Sequence, residues 1–237
     1  LESNGTVNFG SNKAYRAMLK KIKAGSPATN PDDLQYILDN VDVDNLFEYM
    51  ALEMFVGNSD IGNIRYYRLH QEGSKWKWIW YDADYGLYSS KFNSPWSYLK
   101  VKGMGEQKID NTIFLKLLEH PDYKRKFLEK LADVYKTFTT EYMTQVLDGV
   151  VAEIQPEMKN HWERWGELND KAVTSEVPTT IDGAYTYWES RVNRLYNTLK
   201  VRPHRLWDFI KDEFKLTKAE MEELFGPQPD YPDDAVL

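Results

Sequence analysis

The 237-residue sequence contains no cysteine. Thiol nucleophiles, disulfide frameworks and cysteine-ligated zinc are therefore excluded together. It has no apolar run of about eighteen residues, so no stretch reads as a membrane-spanning helix. Its first ten residues, LESNGTVNFG, have neither the basic nor the apolar part of an export signal; a mature form, or a piece of a longer parent, would look the same. Positive charge is in deficit, with 30 Lys and Arg against 37 Asp and Glu and a net charge of −7. That is the wrong sign for a face that clamps phosphate backbones, so no nucleic-acid partner is expected. The four histidines, at 70, 120, 161 and 204, show no paired metal-ligand spacing.

What is present is the composition of a globular chain, 42% hydrophobic and 28% charged, with a high aromatic share of 14%. Surface scaling puts about 11,000 Å² outside the folded chain against about 40,000 Å² unfolded, enough for one large core. Tyr15, Met18, Leu19 and Ile22 recur at helical spacing before Gly25-Ser26-Pro27 stops them. Asn30-Pro31-Asp32-Asp33 opens a second helix. A third, carrying Leu46, Phe47, Met50, Ala51, Met54 and Phe55, is apolar enough to be buried and ends near Gly57.

From Ile64 the period changes to two, in IRYYRL and KWKWIWY, separated by a polar turn containing Gly73. This predicts a β-hairpin, with Trp76, Trp78 and Trp80 on one face as an aromatic core. A long loop is expected from Tyr88 to Asn111. Helices follow around Ile113–Leu118, Phe127–Tyr135, Tyr142–Ile154, Tyr187–Leu199 and Leu206–Phe214, with Pro156 and Pro203 as expected breaks. Thr217-x-x-Glu220 is a capping box for a last short helix, ended by Gly226-Pro227. No linker or repeat divides the chain, so residues 1–226 read as one lobe and 227–237 as a tail. The fold class expected is α+β and predominantly α-helical.

The chemistry-bearing residues gather where the buried helix hands over to the hairpin. Gly57-Asn58-Ser59-Asp60-Ile61-Gly62-Asn63 precedes the first strand, and Tyr81-Asp82-Ala83-Asp84-Tyr85-Gly86 follows the second. A hairpin brings its open ends together. Carboxylate and carboxamide oxygens converging there suit a hard cation such as Mg²⁺. Buried helix, Asp-then-Asn loop, hairpin and Asp-then-Gly is also the order of the catalytic half of a protein kinase. Asp82 and Asp84, two apart on an extended strand, would share a face.

These segments, with Asn63-Ile64-Arg65-Tyr66-Tyr67-Arg68, Lys75-Trp76-Lys77-Trp78 and the later stretch Asn111 to Trp162, resemble the CotH kinase family of spore coat protein H-like atypical kinases. The resemblance covers roughly residues 30 to 215. It implies a protein-kinase-like C-terminal lobe that transfers phosphate from ATP to Ser or Thr of protein substrates, among them spore coat or surface proteins, with Mg²⁺ or Mn²⁺. It implies a location in the spore coat or at the cell surface. Asp60 would be the catalytic-loop aspartate that orients or deprotonates the acceptor hydroxyl, Asn58 and Asn63 would contact the cofactor, and Asn63 with Asp82 or Asp84, or both, would hold the metal. The spacer Ile61-Gly62 is shorter than the family's, Tyr81 stands for its usual Trp, and Tyr85 for its usual Phe. Nothing before Ala14 resembles the family's phosphate-covering lobe with its lysine, so the chain reads as the C-terminal part of a larger protein.

Simpler readings compete. Asp60 and Asn63 also suit a plain turn, Gly103-Met104-Gly105 is a lone G-x-G, and Lys20, Lys21 and Lys23 suit a solvated helix face. A non-catalytic coat or scaffold module would carry the same fold. A glycoside hydrolase would need two carboxyl groups about 5 to 10 Å apart across a cleft.

Overall fold

The computed structural model describes residues 7–100, 110–172, 178 and 180–233; Gly103-Met104-Gly105 lies outside them. The chain divides into two compact units, one up to Thr137 together with His204–Pro229, the other built chiefly from Phe138–Pro203. No linker-like composition marks the division. It falls between two helices and, on the return, inside a third.

The first unit is organised around helix α3. Helices α1 (Lys13–Ala24) and α3 (Val43–Val56) cover the apolar positions expected of them, and α2 (Pro31–Asn40) opens on the expected Asn30-Pro31 signal. The Asn30 side chain caps α2 and Asp42 caps α3, each accepting a backbone N–H of the first turn. α3 buries Leu46, Phe47, Tyr49, Met50, Ala51, Met54 and Phe55. It packs on strand β2 (Lys77–Ile79), on α4 (Ser94–Tyr98) and on α6 (Pro121–Thr137). α5 (Thr112–Leu118) packs on α1 and α6, and α10 (Lys218–Phe225) on α6. At the centre, the Phe127 ring lies 5.4 Å from Phe47, 4.8 Å from Phe114 and 5.8 Å from Phe214. Each such side chain, fully buried, contributes on the order of 1.5–3 kcal/mol.

The hairpin consists of β1 (Arg65–Tyr67) antiparallel to β2, with Tyr66 opposite Trp78. Two devices fix it to the helices. The Asn45 carboxamide of α3 accepts the Trp78 N–H at 2.6 Å and donates to its carbonyl at 3.2 Å. On the preceding turn, Trp76 N–H donates to Asn40 O at 2.8 Å and Asp42 N–H donates to Trp76 O at 3.0 Å. Trp76 and Trp78 are buried, and Tyr15 of α1 lies 5.0 Å from the Trp76 ring and 4.3 Å from that of Tyr66. Trp80, expected on the same core face, is instead 45% exposed: β2 ends at Ile79, and alternation stops with the strand.

The expected loop 88–111 contains α4, opened by Asn93, whose side chain accepts the Trp96 N–H at 3.0 Å. α10 has its capping box, with Thr217 and Glu220 exchanging hydrogen bonds. The tail starts pinned. Trp207 Nε1 donates to Gly226 O at 3.1 Å and His204 Nδ1 lies 2.7 Å from Pro229 O.

In the second unit, α7 (Thr140–Ile154) runs into a 3₁₀ turn (Gln155–Glu157) and α8 (Met158–Ala172), so Pro156 marks a break as expected. The expected stop at Pro203 does not occur: α9 is continuous over Ile181–Phe214. Proline removes the N–H that would bond the Leu199 carbonyl. That carbonyl instead accepts the Thr140 hydroxyl at 3.1 Å, which offsets the loss.

Candidate active site

The site begins at the C-terminus of α3. Gly57 adopts the left-handed conformation (φ 63°), turning the chain out of the helix while its N–H and that of Asn58 both donate to Glu53 O. The Asn58 side-chain oxygen then accepts the Asp60 N–H at 3.1 Å, an Asx turn. Asp60 O accepts the Asn63 N–H at 3.1 Å. Ile61 and Ile64 are buried and anchor the loop. Asp60 and Asn63 stand half-buried at its outer side.

Beyond β2 the chain returns to the same place. Ser59 N–H donates to Tyr85 O at 3.4 Å and Leu87 N–H donates to Val56 O at 2.6 Å, pinning the acidic segment to the end of α3. Gly86 is required there. A Cβ on it would lie 2.8 Å from Ala83 O and 3.1 Å from a Val56 methyl.

The two segments meet through side chains. Asn63 Nδ2 donates to Asp82 Oδ2 at 2.7 Å across 19 residues of sequence, and the Tyr81 hydroxyl donates to Asn63 Oδ1. Asp82 is in the left-handed region (φ 53°), a strained choice that Asp tolerates better than most residues. Asp84 is exposed and begins the turn to Gly86. The segment is therefore not an extended strand, and Asp82 and Asp84 do not share a strand face as expected. Among the described residues no three carboxylates or histidines gather closely enough to enclose a metal by themselves.

Asn58 is placed differently from Asn63. It is 2% exposed and turned inward onto Glu53, itself 2% exposed. The Glu53 carboxylate accepts the Tyr98 hydroxyl at 2.8 Å and also bonds Asn58 and Tyr49. Burial pushes the Glu53 carboxyl above its ordinary range, and hydrogen bonds from Tyr98, Asn58 and Tyr49 oppose the rise. Burial, then the Glu53 charge, holds the Tyr49 and Tyr98 hydroxyls well above theirs, so both stay protonated donors. Asn111 Nδ2 secures the Tyr98 carbonyl at 2.8 Å. Glu53 escaped the sequence reading although it falls on the buried stripe of α3, three residues after Met50 and beside Met54. A charge on an apolar helical stripe is the signal that could have found it.

Residues 2–206 match the family model described as CotH kinase protein. The chain belongs to this CotH kinase protein family. No curated protein and no solved structure matches it. Membership places the chain among atypical kinase-related proteins, whose general requirement is ATP and a divalent cation. In this CotH chain Asn63 and Asp82, joined side by side, and the exposed Asp84 two residues on offer such a cation side-chain oxygens. Mg²⁺ is ordinarily bound by one or two carboxylates, with water and phosphate oxygens completing the shell.

Proposed function

We propose that this chain is the metal- and acceptor-handling part of a kinase-like C-terminal lobe that transfers phosphate from ATP to Ser or Thr of protein substrates, spore coat or surface proteins among them. The observation that carries the reading is the Asn63–Asp82 hydrogen bond, which joins the Asp60 loop to the acidic segment. Asn63, Asp82 and Asp84 would hold Mg²⁺ or Mn²⁺. When bound, the cation neutralises charge on the phosphoryl oxygens.

The remaining work belongs to the chain's own residues. Asp60 accepts the proton of the acceptor hydroxyl as its oxygen bonds to the γ-phosphorus and the bond to the ADP oxygen breaks. The Asn63 carboxamide is oriented from both ends, its oxygen toward Tyr81 and its nitrogen toward Asp82. Asn58, buried behind the loop, enters as a positioning group in place of the expected cofactor contact.

The test is transfer from γ-labelled ATP with Mg²⁺ or Mn²⁺ to a Ser/Thr peptide library. Asp60→Asn should lower the rate by about 10²–10⁴, the usual worth of a general base, with the fold intact by circular dichroism. Unchanged transfer by the variant removes Asp60 from the role. Absence of both transfer and ATP–Mg²⁺ thermal stabilisation in the unaltered protein favours a non-catalytic scaffold instead.

A further inference from the structure

Glu53 is a nearly solvent-free carboxylate that the proposed reaction does not use. Ionised, it can only accept hydrogen bonds, and donors surround it: the Tyr98 hydroxyl from α4, the Tyr49 hydroxyl from its own helix and the Asn58 side chain. Several lysines of neighbouring elements are paired elsewhere. Lys77 of β2 pairs with Asp42, and Lys126 and Lys130 of α6 pair with Asp44 and Glu48. Asp60 is the ionisable group of the loop that acts on Glu53, by repulsion.

An amide beside an acceptor-only group has one workable orientation. The Asn58 nitrogen must face Glu53, which leaves its oxygen for the Asp60 N–H, found at 3.1 Å. We infer that Glu53 is a positioning residue that, by fixing the orientation of the Asn58 carboxamide, sets the loop on which Asp60 is presented. This rests on the phosphotransfer reading where it concerns rate, but not where it concerns the loop. The Tyr98 hydroxyl also lies 3.2 Å from Asn58 O, so backbone and side chain of Asn58 are gripped from the same buried cluster.

Swapping donor and acceptor tests it. Asn58→Asp sets two acceptor-only groups against each other, and Glu53→Gln removes the constraint on orientation. In the double variant Glu53→Gln/Asn58→Asp, the introduced amide can donate to the introduced carboxylate, whose second oxygen is free to take the Asp60 N–H. Two readouts are taken: hydrogen exchange of the Asp60 amide relative to that of Leu131 in the core, and kcat against KM for ATP.

Asn58→Asp should lose about tenfold in Asp60 protection and in kcat, with KM for ATP within about threefold, and the double variant should recover most of both, as coupled neighbours do. Glu53→Gln should show intermediate protection and a flattened acid limb of the kcat–pH profile. Should Asn58→Asp not fold, Glu53→Gln decides by exchange, and unaltered Asp60 protection there overturns the inference. A double variant no better protected at Asp60 than a folded Asn58→Asp also overturns it. If the unaltered protein transfers no phosphate, the phosphotransfer reading falls and the exchange arm still decides this one.

Discussion

The loop at 57–63 has two sides that are built differently. Inward, Glu53, Asn58 and Tyr98 are 2%, 2% and 0% exposed, and their polar atoms are paired. Outward, Asp60 and Asn63 are half-buried, Asp82 and Asp84 are exposed, and Asp82 sits in a strained backbone conformation. The inward side pays a desolvation cost to hold a shape. The outward side keeps its oxygens near solvent, where a cation or a substrate can reach them. Stability should therefore respond to changes on the inner side and ligand affinity to changes on the outer.

The largest stability effect expected is at Tyr98. Tyr98→Phe keeps the ring but leaves the buried Glu53 carboxylate short of a donor, a loss of about 1–3 kcal/mol. Urea denaturation should show a lower midpoint with an unchanged slope. A midpoint equal to that of the unaltered protein would mean that the inner side is not a stability device, and the contrast between the two sides would go.

A smaller effect follows from Glu53 by pH. Burial raises this carboxyl above its ordinary value of 4.5, so the folded chain holds the proton more tightly than the unfolded chain. The contribution of Glu53 to stability is then greatest below 4.5, declines as pH rises through the window up to the raised folded value, and is flat above it. Glu53→Gln has no such decline. The stability of the unaltered protein relative to this variant should thus fall between mildly acidic and neutral pH, as measured by urea midpoints at each. A difference that stays constant or grows would contradict the burial of an ionisable Glu53.

The outer side was the legible one. Asn63 and Asp82 could be placed together because hairpin topology follows from a change of period and a glycine turn, both visible in the stretch from IRYYRL to KWKWIWY. The start of α2 was legible because its cap, Asn30, is local. The inner side was not, because its contacts are long in sequence: Tyr98 reaches Glu53 across 45 residues from a helix hidden in an apparent loop. Trp80 failed because alternation carries no information past a strand's last paired residue. Pro203 failed because its remedy, the Thr140 hydroxyl on Leu199 O, lies 59 residues away along the chain.

The smallest stability effect, and the sharpest separation of the two sides, is expected at Tyr81. Its hydroxyl donates to Asn63 Oδ1 from a half-buried position, so Tyr81→Phe removes one partly solvated hydrogen bond, at most about 1 kcal/mol. The Asn63 carboxamide is then held from its nitrogen end alone, by Asp82. A ligand that loses the partner orienting it typically loses about 10- to 100-fold in metal affinity. Tyr81→Phe should accordingly leave the urea midpoint nearly unmoved while weakening Mn²⁺ binding at least about tenfold by titration calorimetry. A variant that loses stability yet binds Mn²⁺ as before would place Tyr81 with the inner side and take Asn63 out of the proposed donor set.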